Sequence, residues 1–147
     1  MPAPPKNLNA FDSLVKIVQM LRGPQGCPWD KEQTHRSLTR YAIEEVFELV
    51  EAIESEGKKE NLIEELGDVL FQVVLHAEIA HQEKHFTMSE VIQTVCEKMV
   101  RRHPHVFSNG TAQTSQEVVD NWQKIKSREK DETTVGFDVP LTIPALI

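Results

Sequence analysis

Two clusters of carboxylates, separated by a short break, constrain this chain more than any other feature. Their members are Glu44, Glu45 and Glu48 in the first cluster and Glu64, Glu65 and Asp68 in the second. Spacings of three and four residues place the acids of each cluster on one side of a helix. The break at residues 57–59, Gly-Lys-Lys, predicts that the two helices pair antiparallel and bring their carboxylates together.

Carboxylates gathered in this way need a positive partner. Like charges at helical spacing repel, and removing them from water adds to the cost. The second cluster leads into an apolar run at residues 69–75, which is typical of a buried helix and places Glu65 and Asp68 at or near an interior. A hard divalent cation, Mg²⁺ or its substitute Mn²⁺, would neutralise the group. The alternative is a pair of helices whose acids are solvated, since glutamate is a good helix former.

Length and charge narrow the class of protein. A chain of 147 residues is long enough for one domain with its own core. Its net charge of −7 argues against direct binding of nucleic acid through a basic surface. The two cysteines form no metal or disulfide pattern, and there is no apolar leader and no apolar run of membrane-spanning length. We therefore expect a cytoplasmic protein that does not bind membranes.

Apolar residues recur at helical spacing in five segments, and no segment alternates as a strand would. The sequence predicts an all-α fold with a four-helix-bundle-like core and one extra helix. The predicted helices span residues 11–21, 34–55, 60–84, 88–103 and 115–130, with irregular segments at 22–30 and 105–110, where prolines and glycines occur. Residues 1–7 are expected to be a disordered tail, residues 8–130 the helical domain, and residues 131–147 an irregular extension that would fit the start of a truncated further segment.

Basic residues gather after the acidic stretch. They are Lys98, Arg101, Arg102 and His103 at the end of the fourth predicted helix and Lys124, Lys126 and Arg128 on the fifth. One acidic focus and one basic focus suit a metal-bound polyphosphate, because the metal binds carboxylates while phosphates bind lysine and arginine. The alternative is a helix end that complements its dipole and a solvated helix face.

A di-iron carboxylate site is a competing interpretation. Glu32 with His35 and Glu78 with His81 match its Glu-x-x-His pattern, and Glu48 and Glu65 would be the additional ligands. We discount this interpretation on two grounds. The first pair lies beside the break at Pro28, and the second lies about three helical turns beyond Asp68, too far along the helix to share its metal.

Five segments resemble the MazG-type nucleoside triphosphate pyrophosphohydrolases, a family of the all-α nucleotide pyrophosphatase class. They are GCPWD at residues 26–30, EEVFE at 44–48, EELGDVLFQ at 64–72, RRHPHVF at 101–107 and WQKIK at 122–126. The acidic pair is shared across the class, whereas the first and fourth segments are more specific to MazG proteins. The resemblance covers roughly residues 14–130 and is strongest to the first of the two domains that MazG proteins often contain.

The resemblance implies a reaction and a set of site residues. The reaction is hydrolysis of nucleoside triphosphates to the monophosphate and pyrophosphate, a house-cleaning of the nucleotide pool. The implied metal ligands are Glu45, Glu48, Glu65 and Asp68, and the implied nucleotide-binding residues are Lys98, Arg102, Trp122 and Lys126. Glu44 is the candidate to orient or deprotonate the attacking water. Family members dimerise, so a homodimer or a higher oligomer is expected. The alternative is a catalytically weak nucleotide-binding or dimerisation domain of a longer MazG protein.

Overall fold

The computed structural model describes residues 3–55 and 58–132. Seven helices occur in these ranges: α1 (Phe11–Arg22), α2 (Pro28–Glu32), α3 (Thr39–Glu54), α4 (Lys59–Gln82), α5 (Met88–Arg102), α6 (Pro104–Phe107) and α7 (Ser115–Glu132). No strand is present in the described part of the chain, and the predicted all-α class is confirmed. None of the helices described is long and apolar enough to cross a membrane. The predicted extension at 131–147 lies outside the described residues from residue 133 on.

Two compact units divide the chain at residues 92 and 93, within α5. The first unit contains α1 to α4 and the start of α5, and the second contains the rest of α5 with α6 and α7. Four of the five predicted helices match α1, α4, α5 and α7 to within two residues. The exception is α3, which begins at Thr39 rather than residue 34, because Thr34 and Ser37 bond each other's backbone N–H groups and form a turn instead.

The segment between α1 and α3 is more regular than predicted, because residues 28–32 form the short helix α2. Pro28 begins this helix, where its fixed φ angle fits and its missing N–H is not needed. Arg22 holds the helix in place by donating hydrogen bonds to the carbonyl oxygens of Asp30 and, at 3.1 Å, of Gln33. A side chain at Gly26 would overlap the carbonyl oxygen of Leu21, so the turn before α2 requires glycine.

The core of the first unit lies where α1, the start of α3 and the C-terminal half of α4 meet. Its fully buried side chains are Val18, Leu38, Val74, Leu75 and Ile79. Each contributes roughly 1.5–3 kcal/mol through removal of apolar surface from water. The apolar run predicted to be buried thus supplies two of the five core residues, and it fixes the register of α4 against α1 and α3.

Beyond this core, α3 and α4 continue as an antiparallel hairpin with two exposed apolar faces. The residues of α3 are Ile43, Val46, Val50 and Ile53, and those of α4 are Ile63, Leu66, Leu70 and Val73. All eight are 41–60% exposed, and α3 contains no buried residue. The apolar stripe predicted for α3 therefore forms, but within one chain Leu38, which precedes the helix, is its only buried member among the described residues.

The second unit is built around a link between α5 and α7. Residues 101 and 102, at the end of α5, both donate to Glu129 on α7. Pro104 then begins α6, a single turn where the sequence predicted a loop. The backbone of Gly110 packs so closely on Pro104 that a Cβ atom at residue 110 would lie 2.8 Å from the Pro104 carbonyl carbon.

Candidate metal centre

Glu45 of α3 and Glu65 and Asp68 of α4 converge on one point between the helices. One carboxylate oxygen from each residue lies within 4.8 Å of the other two. Because the helices run antiparallel, Glu45 stands opposite Asp68, and Glu48 comes near Glu65 one turn along. The structure thus gathers three of the predicted acids tightly and keeps the fourth within electrostatic reach.

Glu65 has a carboxylate oxygen, Oε2, that is both buried and without a hydrogen-bond donor among the described residues. A buried carboxylate oxygen without a partner costs free energy unless a cation or a proton compensates it. No described residue of α3 or α4 donates a hydrogen bond to this oxygen, so a bound cation or a proton would stabilise it.

The electrostatics of the cluster point in the same direction. Burial, and after it the charge of Asp68, raises the pKa of Glu45 above its usual value. Burial, and after it the charge of Glu48, raises the pKa of Glu65. Both shifts mean that the ionised state of the cluster is disfavoured in the folded chain, as expected for acids held together without a counter-charge.

These residues suit a hard divalent metal ion. The group offers carboxylate oxygens alone, which are the ligands preferred by Mg²⁺ and Mn²⁺ rather than by softer metals. The three oxygens come from two helices of the same hairpin, so their separation is set by helix packing rather than by a loop. Glu45, Glu65 and Asp68 would hold the ion, with Glu48 as the additional acid.

Two details differ from the sequence prediction. Asp68 is exposed rather than at an interior, because the apolar surface that precedes it on α4 is itself exposed. Glu44 is not one of the three converging carboxylates and forms an ion pair with Arg40, with 3.2 Å between Arg40 Nη2 and Glu44 Oε1. The carboxylate of Glu44 is therefore already partnered, and its charge still adds to the rise in the pKa of Glu45.

The predicted nucleotide-binding residues lie in the second unit. The guanidinium carbon of Arg102 and the Nζ atom of Lys126 each lie 5.3 Å from the centroid of the Trp122 ring. Lys98 lies one turn before Arg102 on α5 and is half-buried. Three of the four predicted residues are therefore in contact, with two cations around one indole.

The sequence prediction did not include two features of this group. Arg101 shares an anionic partner with Arg102, and that partner is Glu129. Glu129 accepts hydrogen bonds from both arginines, which lower the pKa of its carboxyl to about 2. A signal existed, because Glu129 is seven residues after Trp122 and three after Lys126, on the same face of α7.

The histidines of the di-iron alternative, His35 and His81, do not belong to the carboxylate group found among the described residues. His35 Nδ1 lies 2.8 Å from His76 Nδ1, and His81 Nδ1 lies 3.5 Å from Glu78. Within residues 3–55 and 58–132, the one group that could hold a metal ion is that of Glu45, Glu65 and Asp68. The positions of these histidines therefore favour a metal site built from carboxylates alone over the di-iron site.

Comparison with known proteins agrees with this geometry. The model of the MazG nucleotide pyrophosphohydrolase domain matches residues 33–107, which include all of α3 and α4, and the chain belongs to that family. A crystal structure of a mazG-related protein from Thermotoga maritima has the same fold, with a TM-score of 0.65 and 28% sequence identity over 79% of this chain and 98% of that one.

Curated relatives are similar over most of this chain. The uncharacterized protein YabN of Bacillus subtilis is 52% identical over 138 residues, which cover 92% of this chain and 28% of YabN. The nucleoside triphosphate pyrophosphohydrolase/pyrophosphatase MazG of Thermotoga maritima is 47% identical over 139 residues, 92% of this chain and 52% of that protein. The chain thus spans about half or less of the length of these relatives.

Proposed function

We propose that this chain hydrolyses nucleoside triphosphates to the nucleoside monophosphate and pyrophosphate, and that it requires Mg²⁺ held by Glu45, Glu48, Glu65 and Asp68. The observations that carry the proposal are the convergence of three carboxylate oxygens within 4.8 Å and the buried Oε2 atom of Glu65, which accepts no hydrogen bond from the described residues. Membership of the MazG family and the names of the curated relatives support this class of reaction.

The reaction adds one water across the bond between the α- and β-phosphoryl groups and releases pyrophosphate. When bound, Mg²⁺ would neutralise the triphosphate and stabilise the charge that develops on the leaving group. The side chains of Lys98, Arg102 and Lys126 would bind phosphate oxygens by charge-assisted hydrogen bonds. Trp122 offers an aromatic face to the nucleobase. Glu44 would orient or deprotonate the water, with Arg40 fixing its carboxylate.

A pyrophosphate-release assay tests this proposal. Purified protein is incubated with each of the standard and damaged nucleoside triphosphates, with Mg²⁺, with Mn²⁺ and with chelator. We expect metal-dependent turnover in the wild type and a loss of orders of magnitude in Asp68→Asn. Glu60→Gln, which removes one exposed acid from the same helix, is the matched control and should retain activity. Full turnover by Asp68→Asn would show that the metal site is wrongly placed.

A second candidate is a nucleotide-binding or dimerisation domain with weak catalysis, within a longer protein. Two observations favour it: the chain matches about half of the Thermotoga maritima relative, and its α3–α4 hairpin leaves apolar faces exposed. Nucleotide titration by calorimetry separates the two functions. Binding with Mg²⁺ but no release of pyrophosphate would support the binding domain and contradict the enzyme.

We also propose a homodimer formed through the α3–α4 hairpin, which the exposed apolar faces of both helices support. On each helix the exposed apolar residues have spacings of three, four and three, which is the pattern of helices that pack in bundles. Two such hairpins related by a twofold axis would bury both faces in one four-helix arrangement. The same packing would also enclose the carboxylate cluster, because Glu45 and Asp68 belong to the same hairpin.

Analytical ultracentrifugation at micromolar concentration tests the dimer. We expect the wild type to sediment as a dimer or as a higher oligomer built from it. Leu70→Asp places a charge in the exposed apolar face of α4 and should give a monomer. Ile92→Asp changes an equally exposed residue of α5, outside the hairpin, and should sediment as the wild type does. A wild type that is monomeric under these conditions would exclude the proposal.

A further inference from the structure

Glu129 joins two neighbouring guanidinium groups of the second unit. Arg101 Nε donates to Glu129 Oε1 at 2.7 Å, while Arg102 donates to Oε2 from Nε at 3.1 Å and from Nη2 at 2.7 Å. One oxygen of the carboxylate thus serves each arginine. The side chain of Arg102 is 14% exposed and that of Glu129 is 24% exposed, so this contact is well shielded from solvent.

This arrangement determines which N–H groups of the arginines remain available. Consecutive residues of a helix point in directions about 100° apart, and two like charges repel, so Arg101 and Arg102 would separate without a shared anion. With Glu129 in place, both terminal nitrogens of Arg101 and Nη1 of Arg102 make no hydrogen bond within the described residues. These nitrogens are donors with no acceptor capacity, suited to an anion.

Trp122 limits the motion of Arg102 from another direction. The guanidinium carbon of Arg102 lies 5.3 Å from the centroid of the indole ring, and Lys126 lies at the same distance. On α7 the residues Trp122, Lys126 and Glu129 follow at spacings of four and three, so one helix face carries all three. The positive charges of this group outnumber the single carboxylate, and the group remains attractive to phosphate.

We propose that Glu129 is a positioning residue, which holds Arg101 and Arg102 side by side so that both bind the phosphate groups of the nucleotide. The proposal rests on the proposed nucleotide hydrolysis and adds Arg101 to its phosphate-binding residues. A purely structural role explains less, because the side chain of Arg101 is 55% exposed and an ion pair of that kind adds little stability. Because Glu129 orders the two arginines before phosphate binds, less side-chain entropy is lost on binding. This gain in binding free energy offsets the repulsion between the Glu129 carboxylate and the phosphate.

The experiment compares Glu129→Gln with Asp120→Asn, in which another acid of α7 is neutralised and no arginine loses a partner. Tripolyphosphate is titrated into each protein by calorimetry with Mg²⁺, and KM, kcat and Tm are measured with the best nucleoside triphosphate. We expect Glu129→Gln to raise Kd and KM about tenfold with kcat within about threefold, the loss that corresponds to one hydrogen bond to a charged group. Asp120→Asn should match the wild type, and Glu129→Asp should recover part of the affinity.

Arg101→Gln provides a second variant, because its exposed side chain can be changed without disturbing the core. It should weaken tripolyphosphate binding several-fold and leave Tm close to that of the wild type. The proposal is overturned if Glu129→Gln lowers Tm but leaves Kd and KM unchanged, or if it tightens binding, since Glu129 would then compete with phosphate. If the wild type turns over nucleotide while Glu129→Gln gives either of these overturning results, only the role of Glu129 is excluded. A wild type that neither binds nor hydrolyses nucleotide would exclude the proposed function as well.

Discussion

His35 and His76 face each other across the first unit, with 2.8 Å between their Nδ1 atoms and their rings within 2° of parallel. A hydrogen bond at that distance needs one proton between the two nitrogens, so one ring donates and the other accepts. Burial, and after it the proximity of His35, lowers the pKa of His76. The pair joins the turn before α3 to the C-terminal half of α4, and its hydrogen bond forms only while one of the two nitrogens is unprotonated.

The first prediction concerns the pH dependence of this contact. Because the pKa of His76 is lower in the folded chain than in the unfolded chain, the folded state binds fewer protons near pH 6. Its contribution to stability is present above the unfolded value of about 6.5 and is lost as the pH falls below it. Thermal unfolding of the wild type and of His76→Asn at pH 7.5 and 5.5 measures the effect. We expect the Tm of the wild type to fall by about 2–5 °C more than that of the variant.

Equal pH dependence of the two proteins would contradict this prediction. His81→Gln is the matched control, since His81 is exposed on the same helix and contacts Glu78 rather than a second imidazole. Neither substitution changes Glu83, whose Oε2 atom lies 3.9 Å from His35 Nε2, so the comparison isolates His76.

The second prediction concerns the carboxylate cluster without metal. The raised pKa of Glu65 means that stability is lost as the pH rises above the unfolded value of 4.5, where the chain must ionise an acid that the fold disfavours. Glu65→Gln removes that acid, so it should raise Tm in chelator at pH 7.5 and abolish the stabilisation by Mg²⁺. In the wild type, Mg²⁺ at 100 times its Kd should add about 2.7 kcal/mol.

Differential scanning fluorimetry with chelator and with a series of Mg²⁺ concentrations measures both the Tm without metal and the stabilisation by Mg²⁺. Glu60→Gln should behave as the wild type in each, since it removes a charge of α4 at a distance from the cluster. A variant of Glu65 that is less stable without metal, yet still stabilised by Mg²⁺, would show that this carboxylate has a structural role and is not a ligand.

Much of the fold could be read from the sequence because helical periodicity is a local property. The five long helices follow from apolar spacing, and the meeting of Glu45 with Asp68 follows from two acidic clusters on either side of a short break. Sequence spacing does not indicate the helix α2, because the prolines and glycines of residues 22–30 favour an irregular segment, although Pro28 fits the first position of a helix.

Long-range contacts were the part that sequence spacing could not supply. His35 and His76 are 41 residues apart, and Arg102 and Glu129 are 27 apart, so neither pair produces a periodic signal. Burial was predicted only in part, because the run at residues 69–75 was expected to be buried, whereas Leu70 and Val73 within it are 41% and 42% exposed. The same pattern of spacing describes a helix packed within its own chain and one that packs on a second copy.

The third prediction uses Gly67, which lies between Leu66 and Asp68 in the middle of α4. A Cβ atom at this residue would have no atom within 4 Å among those described, so alanine fits without strain. Because glycine is less favourable than alanine inside a helix, Gly67→Ala should stabilise the chain by about 0.5–1 kcal/mol. Urea unfolding measures the gain. A loss of stability together with dissociation in the ultracentrifuge would instead place residue 67 against a second copy.

The last prediction decides the role of Trp122. A tryptophan in a core costs about 3–5 kcal/mol when changed to alanine, whereas Trp122 is half-buried and contacts Arg102 and Lys126. Losing two partly exposed cation–π contacts should cost only about 1–2 kcal/mol. If the indole also stacks on the nucleobase, Trp122→Ala should weaken nucleotide binding by a further 1–3 kcal/mol, roughly 5- to 150-fold in Kd. Trp122→Phe, which keeps an aromatic face, should retain most of the affinity.

Tripolyphosphate separates the two contributions in Trp122→Ala, because it carries phosphates but no base. Its affinity should fall far less than that of a nucleoside triphosphate, since the lost stacking acts on the base and the remaining effect comes from a less ordered Arg102. Calorimetric titration with both ligands and thermal unfolding of both variants give the full comparison. A collapsed Tm with unchanged nucleotide affinity would assign Trp122 to packing between α5 and α7, and equal losses for the two ligands would assign it to phosphate binding through Arg102 rather than to the base.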